Sequence, residues 1–182
     1  MAAFYFSNAA DCHNLNGRYL FDTNVWLAIQ GPYIRPHDRR TSSYSALMKK
    51  VIEDGGCLIA DPIVIMEFVN AFLKIEFNLI KGENGIPDKF KAFRQTQEYR
   101  DLASGVSDDL FHLLQDCEVI GMDFSKERYD EICKELSGGS LDFNDGLIAE
   151  TCKREDLTLV TDDYDYANCD ISIISANRRY RS

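Results

Sequence analysis

Arg18-Tyr19-Leu20-Phe21-Asp22-Thr23-Asn24-Val25-Trp26-Leu27-Ala28-Ile29 runs from a short buried strand, through an acidic residue, into a helical turn that Gly31-Pro32 breaks. The same order recurs along the chain. Cys57-Leu58-Ile59-Ala60 reads as a second strand and leads into Asp61-Pro62, a helix start with Asp as N-cap and Pro in the first turn. Glu118-Val119-Ile120-Gly121, Leu157-Thr158-Leu159-Val160 and Ile171-Ser172-Ile173-Ile174 are the remaining strands. Strands that alternate with helices imply a parallel sheet covered on both faces. The expected fold is a single-domain three-layer α/β/α sandwich with a mostly parallel central sheet of about five strands.

Helical spacing is read over 41–54, with Tyr44, Leu47, Met48 and Val51 on one face, and from Asp61 to about Leu79. In the second of these, Ile65, Met66, Val69, Phe72 and Leu73 are expected to form the apolar stripe, with Glu67 on another face. Asp88 to Asp116 reads as helix with a break near Ser104-Gly105. Ser125 caps a helix to Leu136, and Asn144 or Asp142 caps one running to about Glu155. Residues 1–17 read as a loose N-terminal arm, and 18–182 as one folded unit with an enlarged helical region around 78–116. There is no internal repeat and no linker.

The 182 residues suffice for one domain with a real core. No apolar run approaches the roughly 20 residues of a membrane span, and the N-terminus lacks a signal-peptide pattern, so a cytoplasmic protein with no membrane partner is expected. The 6 cysteines form no Cys-x-x-Cys pair, and the 3 histidines are far apart, which reads as reduced thiols and no zinc site. The net charge of −10 argues against broad nonspecific nucleic-acid binding. Two local basic patches stand out, Arg35-Pro36-His37-Asp38-Arg39-Arg40 and Arg178-Arg179-Tyr180-Arg181, each either solvated surface or a contact for phosphate.

Four acids lie at or just after apolar segments: Asp22; Glu67 in Ile65-Met66-Glu67-Phe68; Asp145 in Asp142-Phe143-Asn144-Asp145-Gly146-Leu147-Ile148-Ala149; and Asp163 in Leu159-Val160-Thr161-Asp162-Asp163. Carboxylates gathered where a sheet ends repel one another unless a cation sits among them. A hard divalent metal, and with it phosphate chemistry, is the economical explanation. Each acid also has a plainer role open to it. Asp22 can be an N-cap, and Glu67 a solvated helix residue. Asp142 and Asp145 can be favoured by a helix dipole, with Asp145 the more buried, and some of Asp162, Asp163 and Asp165 can be surface charge.

Taken together these segments resemble a PIN domain, the metal-dependent nuclease fold of VapC-like bacterial toxins and many RNA-processing enzymes. Asp22-Thr23-Asn24 resembles the family's opening Asp-Thr-Asn/Ser, and Glu67 its helical glutamate. Asn144-Asp145-Gly146-Leu147-Ile148-Ala149 resembles Asp-x-Leu-Ile-Ala. Leu159-Val160-Thr161-Asp162-Asp163-Tyr164-Asp165-Tyr166 resembles Leu-Val-Thr-x-Asp-x-Asp-Phe. The match covers about residues 18–175. Three features depart from a compact toxin: the arm, the enlarged region, and the acidic balance. Consecutive Asp162 and Asp163 leave two candidates for the fourth acid, of which Asp163 is preferred.

The resemblance implies metal-assisted hydrolysis of RNA. Asp22, Asp145 and Asp163 would hold Mg²⁺ or Mn²⁺, and Glu67 would complete the shell or orient water. Asn24, Thr161, Asp142 and Asp162 are candidates to support them. It further implies an RNA substrate, a homodimer and, for a type II toxin, an antitoxin partner. A non-catalytic PIN-fold module that binds RNA or protein is the alternative; an aspartyl-phosphate enzyme is disfavoured by Asn24 where such enzymes carry a second Asp. Trp26 reads as core, with base stacking by Trp26 or Tyr33 as the competing role.

Overall fold

The computed structural model describes residues 3–32, 39–121, 125–139 and 141–181. In chain order the elements are β1 (Ala3–Tyr5), β2 (Arg18–Phe21), α1 (Thr23–Gln30), α2 (Arg39–Glu53), β3 (Cys57–Ala60), α3 (Pro62–Ile80), α4 (Phe90–Phe93), α5 (Gln97–Gln115), β4 (Cys117–Val119), α6 (Lys126–Ser137), α7 (Phe143–Glu155), β5 (Thr158–Val160) and β6 (Ser172–Ser175). Single 3₁₀ turns lie at Ala9–Asp11, Asp165–Asn168 and Arg178–Tyr180. The strands form one 6-stranded sheet in the order β1-β6-β5-β2-β3-β4, and every pairing is parallel. Helices cover it in the expected α/β/α arrangement. The inner strands are buried on both faces and so read as apolar runs: Tyr19, Leu20 and Phe21, then Leu58, Ile59 and Ala60, then Leu159 and Val160.

The sheet order determines where a site can form. From β2 the chain moves to β3 on one side, and from β5 it moves to β6 on the other. The connections leaving β2 and β5 therefore diverge, and the crevice between their carboxyl ends is the switch point at which such sheets bind ligands. The Asp22 N–H donates to Val160 O at 2.9 Å, carrying the β2–β5 ladder one residue past the strand and into that crevice.

Four expectations need correction. The sheet has a sixth strand, and it comes from the segment read as an arm: β1 pairs with β6, and the Phe6 N–H donates to Ser175 O at 2.9 Å. β1 is an edge strand whose Ala3 and Phe4 are exposed, so backbone pairing holds it and no apolar alternation announces it. Phe6, Ala9, Cys12 and Leu15 beyond it enter the main core. Second, the long helical stretch breaks at Arg94–Thr96, where Thr96 caps α5 through a hydrogen bond from the Tyr99 N–H, and α5 runs unbroken through Gly105. Third, the buried stripe of α3 is Ile63, Val64, Phe68, Phe72, Leu73 and Phe77, and Met66 is exposed. Fourth, β4 begins one residue early, at Cys117.

The other boundaries fall close to expectation. Asp61 caps α3 by accepting from the Ile63 N–H at 2.7 Å, with Pro62 as the first helical residue. Tyr44, Leu47 and Val51 of α2 are buried, and Trp26 is core. The cysteines are free thiols. Within the enlarged region, Phe77 meets Phe90 and Phe93 at ring centroids of 5.4 and 5.1 Å, and Phe93 meets Tyr99 at 5.7 Å. This aromatic cluster joins the end of α3 to α4 and α5. No described helix is long and apolar enough to cross a membrane. The Arg35–Asp38 part of the first basic patch and Tyr33 lie outside the described residues.

If the first residues belong to the core, Phe6 is the place to test it. It is 1 % exposed and packs edge-on against Tyr44 at 5.9 Å. Phe6→Ala is expected to cost about 3–5 kcal/mol in urea unfolding, the range for a buried aromatic truncation, whereas a loose arm would give under about 0.5 kcal/mol.

Candidate active site at the β2–β5 switch point

Asp22 leaves the end of β2 with extended backbone and caps α1, its Oδ1 accepting the Thr23 N–H at 2.7 Å. Its Oδ2 accepts from Thr161 Oγ1 at 2.6 Å and from Asn24 Nδ2 at 2.6 Å. The cap and the crevice position are thus one residue's two roles. Asn24 ties the turns after β2 and β5 together, since its Oδ1 accepts the Asp162 N–H at 2.9 Å. Thr161, fully buried, also accepts the Asp163 N–H at 3.0 Å. One hydroxyl therefore orients Asp22 and shapes the turn that presents Asp163.

Glu67 arrives from α3. Thr23 Oγ1 donates to its Oε2 at 3.0 Å, and Asn144 Nδ2 donates to its Oε1. Both carboxylate oxygens are held, one from each side of the crevice. Asp145 stands in the first turn of α7, which Asp142 caps by accepting the Asp145 N–H at 2.9 Å. Asp142 is exposed, and Asp145 is the more buried of the two. Tyr166 Oη donates to Asp145 Oδ1 at 2.7 Å.

The adjacent acids Asp162 and Asp163 separate cleanly. The Asp162 carboxylate accepts from Tyr44 Oη at 2.8 Å and lies 3.7 Å from Arg40 Nη1, so it is committed to α2. Asp163 accepts the Asp165 N–H at 3.0 Å and its charge is felt by Asp145. Asp22, Glu67, Asp145 and Asp163 thus share one electrostatic neighbourhood. Among the described residues, no lysine or arginine ion-pairs with any of them.

The cost of that arrangement shows in the acid strengths. Burial pushes the Asp22 carboxyl up to about 6; hydrogen bonds from Thr161 and Thr23 oppose the shift, and the charges of Asp145 and Glu67 add to it. Asp145 is likewise pushed up to about 6, by burial first, against the Tyr166 hydrogen bond and with Asp142, Asp163 and Glu67 adding repulsion. The Tyr166 hydroxyl is raised far above its ordinary range by burial and by those same two aspartates, so it remains a donor. A site that holds protons near neutrality for want of a counter-charge is one that a cation would relieve.

Among the described residues, no group of three or more His, Cys, Asp or Glu side chains is already gathered tightly enough to hold an ion by itself. The donor set nonetheless suits a hard ion that keeps much of its water. It is made only of oxygens, and Mg²⁺ needs just one or two direct carboxylates. Thr23, Asn144, Tyr166 and Tyr44 are further residues of the site that no sequence pattern assigns to it. Tyr44 reads as a core position of α2, Tyr166 as the end of a motif, and Thr23 and Asn144 as neighbours of Asp22 and Asp145.

The chain is similar to one known family and to several solved structures. A family model described as PIN domain matches residues 19–171. Among solved structures, PAE2754 from Pyrobaculum aerophilum is similar at 19% identity and a TM-score of 0.52, covering 91% of this chain and 93% of that one. FitAcB from Neisseria gonorrhoeae is similar at 19% identity and 0.51, covering 86% and 96%. A chain of VapBC2 from Rickettsia felis, solved bound to a DNA fragment from its promoter, matches at 23% identity and 0.47, covering 86% and 96%. No curated protein matches significantly.

The raised carboxyls carry a testable sign. A group whose folded pKa lies above its unfolded value, about 3.9 for Asp, stabilises below the unfolded value and loses that contribution as pH rises through the folded one. Chelator-treated protein should therefore lose stability from about pH 4 to 6 on account of Asp22 and Asp145. Asp22→Asn should flatten part of that slope and raise stability at pH 7.5 by about 1–3 kcal/mol in urea unfolding with EDTA. A variant less stable than wild type there would contradict the uncompensated charge.

Proposed function

The chain belongs to the PIN domain family, and from that premise we propose that it is a Mg²⁺- or Mn²⁺-dependent endoribonuclease that hydrolyses RNA phosphodiester bonds. The observation that supports this best is Asp22: 4% exposed, hydrogen-bonded by Thr23, Asn24 and Thr161, and lacking any cation among the described residues. A structural carboxylate would not need such burial beside two more acids. We assign Asp22, Asp145 and Asp163 to holding the ion and Glu67 to the attacking water. The VapC-like motifs favour a toxin of a type II pair, with an antitoxin as partner and a homodimer as the assembly.

A bound divalent ion would lower the pKa of water and offset the charge that grows on the phosphoryl oxygens. The remaining work falls to the chain. Thr161 and Asn24 hold the Asp22 carboxylate in one orientation, so little reorganisation is left for the reaction. Thr23 and Asn144 hold both oxygens of Glu67, which supports a role for it in completing the shell or orienting the attacking water. Tyr166 holds Asp145 from beneath. The crevice lies at strand ends, where a single-stranded loop can enter more readily than a duplex.

The proposal predicts that wild type cleaves a mixed structured RNA with Mg²⁺ or Mn²⁺, that EDTA stops it, and that Asp22→Asn lowers the rate at least about 100-fold. Thr161→Val should cost about 10–100-fold in metal affinity or activity while the protein stays folded, as expected for a residue that orients a ligand. Folded, metal-loaded wild type that cleaves neither a panel of RNAs nor single-stranded DNA would contradict the nuclease assignment and favour a binding module.

A further inference from the structure

The two basic patches are far apart in sequence, but the described part of the first and the whole of the second border the same turn. Arg39 and Arg40 begin α2, and Arg40 Nη1 is 3.7 Å from the Asp162 carboxylate. Arg40 also lines, with Asn24, a hollow of about 220 Å³ between α1, α2 and α3. The second patch follows β6. There Asn177 Nδ2 donates to Asp162 O at 2.6 Å, and Tyr180 Oη donates to Asp163 O at 2.6 Å. These bonds clamp the basic turn to the backbone that presents Asp163. Tyr44 links the two patches, because its hydroxyl contacts Asp162 and accepts the Ala176 N–H at 3.1 Å.

Arg178, Arg179 and Arg181 are exposed, and none ion-pairs with a carboxylate among the described residues. The Arg179 guanidinium is held 4.0 Å from the Tyr164 ring centroid, and Tyr164 packs on Tyr180 at 5.0 Å. It is therefore a cation fixed in place with a planar face, suited to a phosphate or a base. Such a cluster stands out in a chain of net charge −10 and suits an anion. On the α7 side the exposed charge beside Asp145 is Asp142, another carboxylate. The basic residues of the enlarged region are a weaker candidate. They begin beyond Phe77, ten residues past Glu67 on α3, which at helical rise is about 15 Å from the site.

We infer that Arg40, Arg178, Arg179 and Arg181, with Tyr164, form the strip that holds the backbone of single-stranded RNA along the β6 flank of the crevice. This deepens the nuclease proposal and rests on it for the identity of the bound strand, but it is tested by binding alone. The probe is a fluorescein-labelled single-stranded RNA, read by anisotropy on Asp22→Asn protein across a salt series. The paired variant Arg178→Gln/Arg179→Gln should weaken binding at least about tenfold and lower the log–log salt slope by about 1.4, each of the two phosphate contacts on a single strand being worth about 0.7. Arg178→Lys/Arg179→Lys should restore most of the slope, which a packing defect would not. Lys89→Gln/Lys91→Gln should change affinity less than twofold.

Unchanged binding and slope in the arginine pair, loss confined to the lysine pair, or no RNA binding by the parent protein would each overturn the strip. Its failure is distinguishable from that of the nuclease proposal. Metal-dependent cleavage with an unchanged KM in the arginine pair would leave the nuclease and remove the strip. Arginine-dependent binding without cleavage by wild type would do the reverse.

Discussion

The hydrogen bond from Thr161 to Asp22 joins residues 139 positions apart and closes the crevice between β5 and β2. Almost everything else about the site depends on it. Burying a carboxylate is expensive unless it is paired, and Asp22 is surrounded by donors but not by a cation. The hydrogen bonds fix where the charge lies without neutralising it. That leaves Asp22 and Asp145 weak acids, and the electrostatic deficit of the pocket is the physical case for a divalent ion.

The surrounding architecture keeps this deficit from collapsing. The parallel sheet sets β2 beside β5, so the two acid-bearing turns meet, and Asn24 bonds them to each other. α3 and α7 then bring Glu67 and Asp145 from the other side, each held by a neutral donor. Neutral partners are the informative choice. An arginine would stabilise the carboxylates but would occupy the place proposed for a metal. Arg40, at the edge of these turns, reaches Asp162, which the fold has already turned toward Tyr44.

Much of the frame could be read from the chain because it rests on local chemistry. Asp61-Pro62 favours a helix start through its own chemistry, and inner parallel strands must be apolar. The four acids were legible through their places at strand ends and within motifs. What escaped was set by partners distant in sequence. β1 is held by backbone pairing, which leaves no side-chain pattern. The buried stripe of α3 runs through Val64 and Phe68 because α1, α5 and α7 pack there, and periodicity alone allowed a neighbouring stripe through Met66. The α4–α5 break is set by the Thr96 cap, while Gly105 is tolerated inside α5. Tyr166 and Tyr44 looked like ordinary core aromatics, and only the folded chain shows their hydroxyls on Asp145 and Asp162.

The central claim is that these carboxylates await a divalent ion. Calorimetric titration with Mn²⁺ near pH 6, in two buffers of different ionisation heat, tests it most directly. With Asp22 and Asp145 titrating at about 6, binding should displace on the order of one proton, so the apparent enthalpy should differ between the buffers. The Asp22→Asn variant should bind more weakly and release fewer protons. Absence of Mn²⁺ binding, or binding that releases no proton and survives loss of Asp22, would contradict the account.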